Sequence, residues 1–340
     1  MAWSRFSKLL KAVSVGEYSV YHFGDMLADP GRVDAYLQAL HQAVRPGSIV
    51  LDLGTGTGFF ALKACDFGAS KVYAIDPNSS IELARELAAA NGRAEQIEFI
   101  QAMSTDVELP EQVDLIISDL RGITPLYGRH IDSISDARDR FLSEGGTLIP
   151  LRDELWCAPV RTQAGLEPYS VWTSEFHGLD MSAGSKYARN VWNAPRIQSS
   201  DLTAMPQRWS VLDYETISDV NVSGSVSWRG EDAFAADGLC LWFEAILSEN
   251  ASFTSGPTRP GGPTRTANTY RRAFYPFLES VQVEPGDELS VSIRGQRTDG
   301  LGGDYSWRWT TTLSDRAGIV KAAFDQSTLL SMPISRSKAR

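Results

Sequence analysis

The 340-residue chain is 43% apolar and carries a formal net charge of -10, which allows one large core or two moderate ones and argues against a nucleic-acid groove that must displace counterions. Its three cysteines, Cys65, Cys157 and Cys240, are widely spaced in apolar surroundings and read as buried thiols, with neither a disulfide framework nor a zinc site indicated. No apolar run approaches the ~20 residues of a membrane span and the N-terminus lacks a signal-peptide pattern, so a cytoplasmic protein with no nucleic-acid and no membrane partner is expected.

Residues 32–150 alternate helix and strand signals. Helices are predicted near Val33 to Val44, Gly58 to Asp66, Ile81 to Asn91 and Asp132 to Phe141; strands at Ser48 to Leu53, Lys71 to Ile75, Gln96 to Gln101, Val113 to Ser118 and Gly146 to Pro150. The alternation predicts an α/β fold with a doubly wound, Rossmann-like parallel sheet. Beyond Pro150 the texture changes to short apolar runs between turn signals, as in Leu239-Cys-Leu-Trp-Phe-Glu-Ala-Ile and Tyr305-Ser-Trp-Arg-Trp-Thr. This half, 151–333, reads as mostly β and barrel-like. Its many tryptophans fit core better than a substrate cage. The Gly-, Pro- and Arg-rich stretch from Ser255 to Ala267 reads as a loop between strands, and 334–340 as a flexible tail.

The chemistry concentrates in Ile49-Val-Leu-Asp-Leu-Gly-Thr-Gly-Thr-Gly58. A buried strand ends in an acid, Asp52, and then in Gly54, Thr55, Gly56 and Gly58, a loop in which the glycines should let backbone N–H groups approach a ligand closely. The spacing is G-x-G-x-G, whereas a dinucleotide fingerprint is G-x-G-x-x-G. A carboxylate there repels a pyrophosphate and suits the ammonium and sulfonium of S-adenosyl-L-methionine. The next apolar run ends in Asp76, 18 residues after Gly58, where a ribose-hydroxyl acceptor belongs.

Taken together these segments resemble the protein arginine methyltransferase family, from about Tyr18 to about Thr312. Tyr18, Tyr21, His22 and Phe23-Gly24 resemble the N-terminal helix that closes over the cofactor, which makes 1–31 a cofactor-covering segment. Met26-Leu-Ala-Asp-Pro-Gly-Arg32 matches M-L-x-D-x-x-R. The resemblance implies that Arg32 pairs the methionine carboxylate, that Met26 lies near the sulfonium and that Asp76, followed by Pro77, holds the ribose. It also implies that Ser104 and Thr105 contact adenine, and that S-adenosyl-L-homocysteine is the product. Gly178-Leu-Asp-Met-Ser182 resembles G-F-D-M-S ahead of a helical arm, about 182–208, through which the family forms homodimers.

The acceptor loop departs from the pattern. The family reads S-E-W-M-G-Y-x-L-x-Y-E, and this chain reads Ser118-Asp-Leu-Arg-Gly-Ile-Thr-Pro-Leu-Tyr-Gly128. Asp119 stands for the first glutamate, Gly128 for the second, and the T-H-W signature falls on Ala267-Asn-Thr269. A guanidinium stays protonated at ordinary pH, so its methylation relies on carboxylates that grip the fork. Asp119 is therefore the candidate catalytic and acceptor-binding acid, Tyr127 an acceptor contact, and Arg121 and Arg129 candidate holders of an acceptor carboxylate. His130 is a candidate general base. The predicted activity is methyl transfer from S-adenosyl-L-methionine to a nitrogen or other nucleophile of a protein, peptide or small-molecule acceptor. The alternatives are an N- or O-methyltransferase of small molecules or peptide natural products, and a non-catalytic cofactor-binding interaction module.

Overall fold

The protein is described by a computed structural model covering residues 18–173, 175–298 and 304–332. The expected tail at 334–340, and 1–17 of the expected cofactor-covering segment, lie outside the described residues. The chain divides into two compact units: 18–119 with 139–149, and 120–138 with the described residues from 150 onward. The hairpin after Asp119 therefore belongs to the second unit.

The first unit begins with helix α1 (Val20–Leu27), none of whose residues is buried, and α2 (Pro30–Ala43). α2 starts earlier than its apolar period suggests because Asp29 caps it, accepting the Arg32 N–H at 3.4 Å, and Pro30 fits the first turn. Val33, Tyr36, Ala39 and Leu40 form its buried stripe. Next come β1 (Ile49–Leu53), α3 (Phe59–Phe67), β2 (Lys71–Ile75), α4 (Ser80–Ala90), β3 (Ile97–Ile100), β4 (Val113–Ser118), the last turn of α5 (His130–Phe141), whose residues 130–138 are counted with the second unit, and β5 (Leu142–Ile149). The strands form a parallel sheet in the order β3-β2-β1-β4-β5. The order reverses between β1 and β4, and ligands of such sheets collect at the carboxyl ends beside that reversal. Val50, Leu51, Val72, Ala74 and Ile116 on the central strands are fully buried, which accounts for their unbroken apolar runs.

The second unit is mostly antiparallel β. It contains β6 (Arg152–Val160), α6 (Gln163–Leu166), β7 (Glu175–Phe176), β8 (Leu179–Asp180), α7 (Ser185–Ala188) and β9 (Gln207–Asp213). Beyond them lie β10 (Val222–Arg229), β11 (Phe234–Ser248), β12 (Ala251–Thr254), β13 (Ala273–Val283), β14 (Glu288–Arg297), β15 (Tyr305–Ser314) and β16 (Val320–Ser327). One sheet runs β12-β11-β6-β9, with β13 also on β11; the other runs β10-β14-β15-β16. Nearly every residue of β11 is buried, as a central strand covered on both faces requires, whereas β10 and β14 alternate and keep one face wet. Trp209, Trp228, Trp242, Trp307 and Trp309 lie in the core and Trp172 is exposed. All three cysteines are buried free thiols.

One expected element is different. The stretch 182–208 contains a single four-residue α-helix, α7, where a helical arm is predicted. Asn193 pairs with Phe274 as an isolated antiparallel bridge, which holds the chain extended, and Pro195 supplies no amide to continue a helix.

Candidate functional site

The residues read as cofactor ligands all lie in the first unit, on loops after β1, β2 and β3 and on the two helices that precede the sheet. Gly54, Gly56 and Gly58 all have left-handed backbones, with φ of 78°, 55° and 76°, so the turn from β1 into α3 demands glycine. A Cβ at Gly56 would meet the Phe23 ring at 2.7 Å. α1 thus places an aromatic ring directly on the loop. The amides are used differently from the expectation. Gly54 and Thr55 both donate to the Ile75 carbonyl, Gly56 to the Asp76 carboxylate at 2.8 Å and Gly58 to the Thr55 carbonyl. These four N–H groups close the loop on itself and on β2, so the glycines serve its shape.

Asp52 corrects the electrostatic reading. Its carboxylate is buried and accepts the Thr55 hydroxyl at 2.7 Å and the Ala61 amide at 3.0 Å. It ties the loop to the first turn of α3, and Thr55 is its partner within the loop. Burial pushes the Asp52 carboxyl up to about 7, with the Thr55 and Ala61 hydrogen bonds opposing that rise. Asp76 is buried and binds the backbone through both oxygens. It comes directly after β2, its Oδ1 accepts the Asn78 amide at 2.8 Å and its Oδ2 the Gly56 amide; burial raises its carboxyl. Pro77 beside it is exposed.

Arg32 and Asp119 meet. The Arg32 Nε donates to Asp119 Oδ2 at 2.6 Å, the guanidinium lies over the Tyr36 and Phe60 rings, and both side chains are buried. Arg32 Nη1 also reaches the Met26 carbonyl at 3.4 Å, which joins α1 to the corner. Tyr36 donates its hydroxyl to the Ser118 carbonyl at 2.9 Å and fixes the end of β4. The residue read as the carboxylate partner and the residue read as the acceptor acid thus form one buried ion pair at the carboxyl end of the sheet.

Ser104 and Thr105 lie on a 3-10 turn after β3, Ser104 buried and Thr105 half-buried. Arg140, which sequence reasoning missed, holds this turn. Its Nη2 donates to the Ser104 carbonyl at 2.8 Å and its Nη1 to the Val107 carbonyl at 2.7 Å. A basic residue in the last turn of α5 is the signal that could have found it.

The remaining candidates lie in the second unit, and two of them are corrected. Arg121 is wholly buried, with Nε at 2.6 Å and Nη2 at 2.9 Å from the two Asp153 oxygens. Its fork is committed inside the unit and does not face an acceptor carboxylate. His130 is buried, and its Nε2 lies 2.8 Å from the Tyr214 hydroxyl; it is a structural partner in place of a general base. Tyr127 and Arg129 are partly exposed, Arg129 beside Asp132 at 3.7 Å. Gly128, where the second acid was sought, has φ of 49°. A glutamate would be strained in this conformation. Asn268 is exposed and Ala267 buried at the T-H-W position.

The first unit fits S-adenosylmethionine. The loop turns on three left-handed glycines, an acid stands after β2 and a cation pairs with the acid at the end of β4. Comparison with known proteins agrees. A family model described as ribosomal protein L11 methyltransferase (PrmA) matches residues 34–149. Protein arginine N-methyltransferase 6 of Danio rerio is 30% identical over 299 residues, covering 83% of this chain and 85% of the relative. Among solved structures, protein arginine methyltransferase 10 of Arabidopsis thaliana superposes with a TM-score of 0.77 at 23% identity, over 91% of this chain and 97% of that one. The Trypanosoma brucei PRMT1 enzyme-prozyme complex with AdoHcy gives 0.79 at 20% identity, over 90% and 96%. The chain is an S-adenosylmethionine-dependent methyltransferase and belongs to the protein arginine N-methyltransferase family.

Proposed function

We propose that the protein methylates a guanidinium nitrogen of arginine in a protein or peptide acceptor, with Asp119 as the single acid that holds the cation. The observation that carries this reading is Asp119 itself. A carboxylate retained at the carboxyl end of β4, next to the switch point and oriented by Arg32 at 2.6 Å, is what alignment of a cationic acceptor needs. Arg32 and Met26 would lie at the methionine end of the cofactor, Asp76 and Pro77 at the ribose, Ser104 and Thr105 at the adenine. The bound cofactor supplies an activated methyl group. Transfer from a sulfonium is an in-line displacement that depends on alignment, and positioning of this kind supplies up to ~7–11 kcal/mol. The loss of the second acid at Gly128 makes Asp119 the more critical. Tyr127 of the second unit is partly exposed on the hairpin and is retained as a candidate acceptor contact.

The same reading includes a cytoplasmic homodimer and a barrel-like second unit. Among the described residues no helix is long and apolar enough to cross a membrane. Phe176 and Leu179, on the β7–β8 hairpin just ahead of the arm, are exposed apolar side chains suited to burial by a second copy.

The test is to incubate the protein with S-adenosylmethionine labelled on its methyl group and an extract of its host, then separate macromolecules from small molecules. Label in protein that hydrolyses to methylarginines supports the reading. Label confined to the small-molecule pool overturns it in favour of a metabolite methyltransferase. No label, with tight S-adenosylhomocysteine binding, overturns it in favour of a non-catalytic module. Asp119→Asn is expected to slow transfer at least about a hundredfold through misalignment, measured as single-turnover rate.

A further inference from the structure

Arg121 stands where the family motif has an apolar methionine, and its environment is entirely internal. Both of its side-chain contacts to Asp153 are short, both residues are 0% exposed as side chains, and the guanidinium lies over the Phe243 ring. Asp153 Oδ2 also accepts the Tyr214 hydroxyl at 2.6 Å. A phenol has one proton. With that proton given to Asp153, Tyr214 meets His130 as an acceptor, so the imidazole donates from Nε2. The chain of bonds joins the start of the hairpin (Arg121), its far end (His130), the first strand of the unit (Asp153) and the residue after β9 (Tyr214). Two packing contacts close the hairpin between them. The Tyr127 ring lies over Gly122, where a Cβ would be 2.7 Å away, and Leu126 packs on Gly295 of β14 at 2.6 Å from its virtual Cβ.

Energetics argue against stability as the purpose of the ion pair. A buried pair costs several kcal/mol of desolvation per ion, and an apolar pair of equal volume usually stabilises a fold as well or better. What the pair adds is direction, because a bidentate fork fixes the angle of one segment against another. A cation held by one carboxylate also keeps rotational freedom that two would remove. We propose that Arg121 and Asp153, with Tyr214 and His130 behind them, are positioning residues for the acceptor: they hold residues 120–130 in one conformation, so that the hairpin offers an arginine acceptor one fixed binding surface. The proposal rests on arginine being the acceptor.

The experiment uses the full chain and a synthetic glycine-arginine peptide as acceptor. The double variant Arg121→Met, Asp153→Leu removes both charges together. It is expected to bind S-adenosylhomocysteine within about twofold of the parent, to exchange the amides of 120–130 at least tenfold faster, and to raise the acceptor KM at least tenfold with a smaller change in kcat. Arg121→Lys keeps the charge without the fork and is expected to fall between. Tyr214→Phe keeps the ion pair and removes one hydroxyl; it should loosen the His130 end and raise KM about threefold, and it serves if the double variant does not fold. Unchanged hairpin exchange and unchanged acceptor KM, in the double variant or in Tyr214→Phe, overturn the proposal and leave a core feature only. A parent protein that leaves the peptide unmethylated counts against the arginine reading, while amide exchange still decides the positioning role.

Discussion

A carboxylate two residues ahead of a glycine turn can face a ligand's positive charge or be used up inside the loop. In Asp52 the second use prevails, because Thr55 and Ala61 reach it first and water is excluded. Burial then raises its carboxyl from 3.8 to about 7, so the folded chain holds this proton more tightly than the unfolded chain does. The stability so contributed is complete below about pH 4 and is lost as pH rises through about 7. Asp52→Asn keeps an oxygen for Thr55 and Ala61 and cannot ionise. Thermal melts should show it raising Tm more at pH 8 than at pH 5; an equal shift at both, or a loss confined to pH 8, would mean that the carboxylate is comfortable ionised. Arg32 and Asp119 make the complementary point. Each is interpretable alone as a charge awaiting a ligand; in the folded chain each is also the other's buried partner, so Arg32 orients the Asp119 carboxylate.

At the scale of elements, the sheet brings the ends of β1, β2, β3 and β4 to one edge, and the site is built from the segments that leave those ends. The segment after β3 has no strand or α-helix of its own and is held by Arg140 from the end of α5. Arg140→Met keeps the stem and removes the donors. Hydrogen bonds from a charged donor contribute about 1.5–3 kcal/mol each. Only part of that reaches the ligand, so the expected result is about tenfold weaker S-adenosylhomocysteine binding by calorimetry, with Tm lowered by a few degrees. Undiminished affinity would remove residues 104–107 from the cofactor site. The arm teaches a different lesson about elements. The G-L-D-M-S match precedes this stretch, whose expected helical character fails because the Asn193 bridge to Phe274 competes with helix formation and wins.

At the scale of the whole molecule, two large apolar side chains just ahead of the arm are exposed. Leu179 is 65% exposed and Phe176 46% exposed on a two-strand hairpin. If a second copy covers them, Leu179→Asp should convert a dimer to a monomer in sedimentation at micromolar concentration. A parent protein that already sediments as a monomer would instead leave the hairpin as a surface for some other chain.

Much of this was legible in the sequence because it is written locally. The strands at 71–75 and 113–118 were delimited to the residue by short, mostly apolar runs, the second interrupted only at Asp114. The loop at 54–58 was marked by glycines whose left-handed backbones no other residue adopts cheaply, and those signals all fall within about ten residues of one another. The mostly β second half was legible for the same reason, from short runs between turns. What a charged side chain meets is not local. Arg32 finds Asp119 87 residues away, Arg121 finds Asp153 32 away and His130 finds Tyr214 84 away. By itself the sequence determined the fold class, the cofactor loop and the loss of the second hairpin acid. Only the tertiary structure decided which charges are spent on each other and which are left to a substrate, because burial and pairing are set by the one packing that brings distant segments together, and a charge out of water must be matched there or not be charged at all.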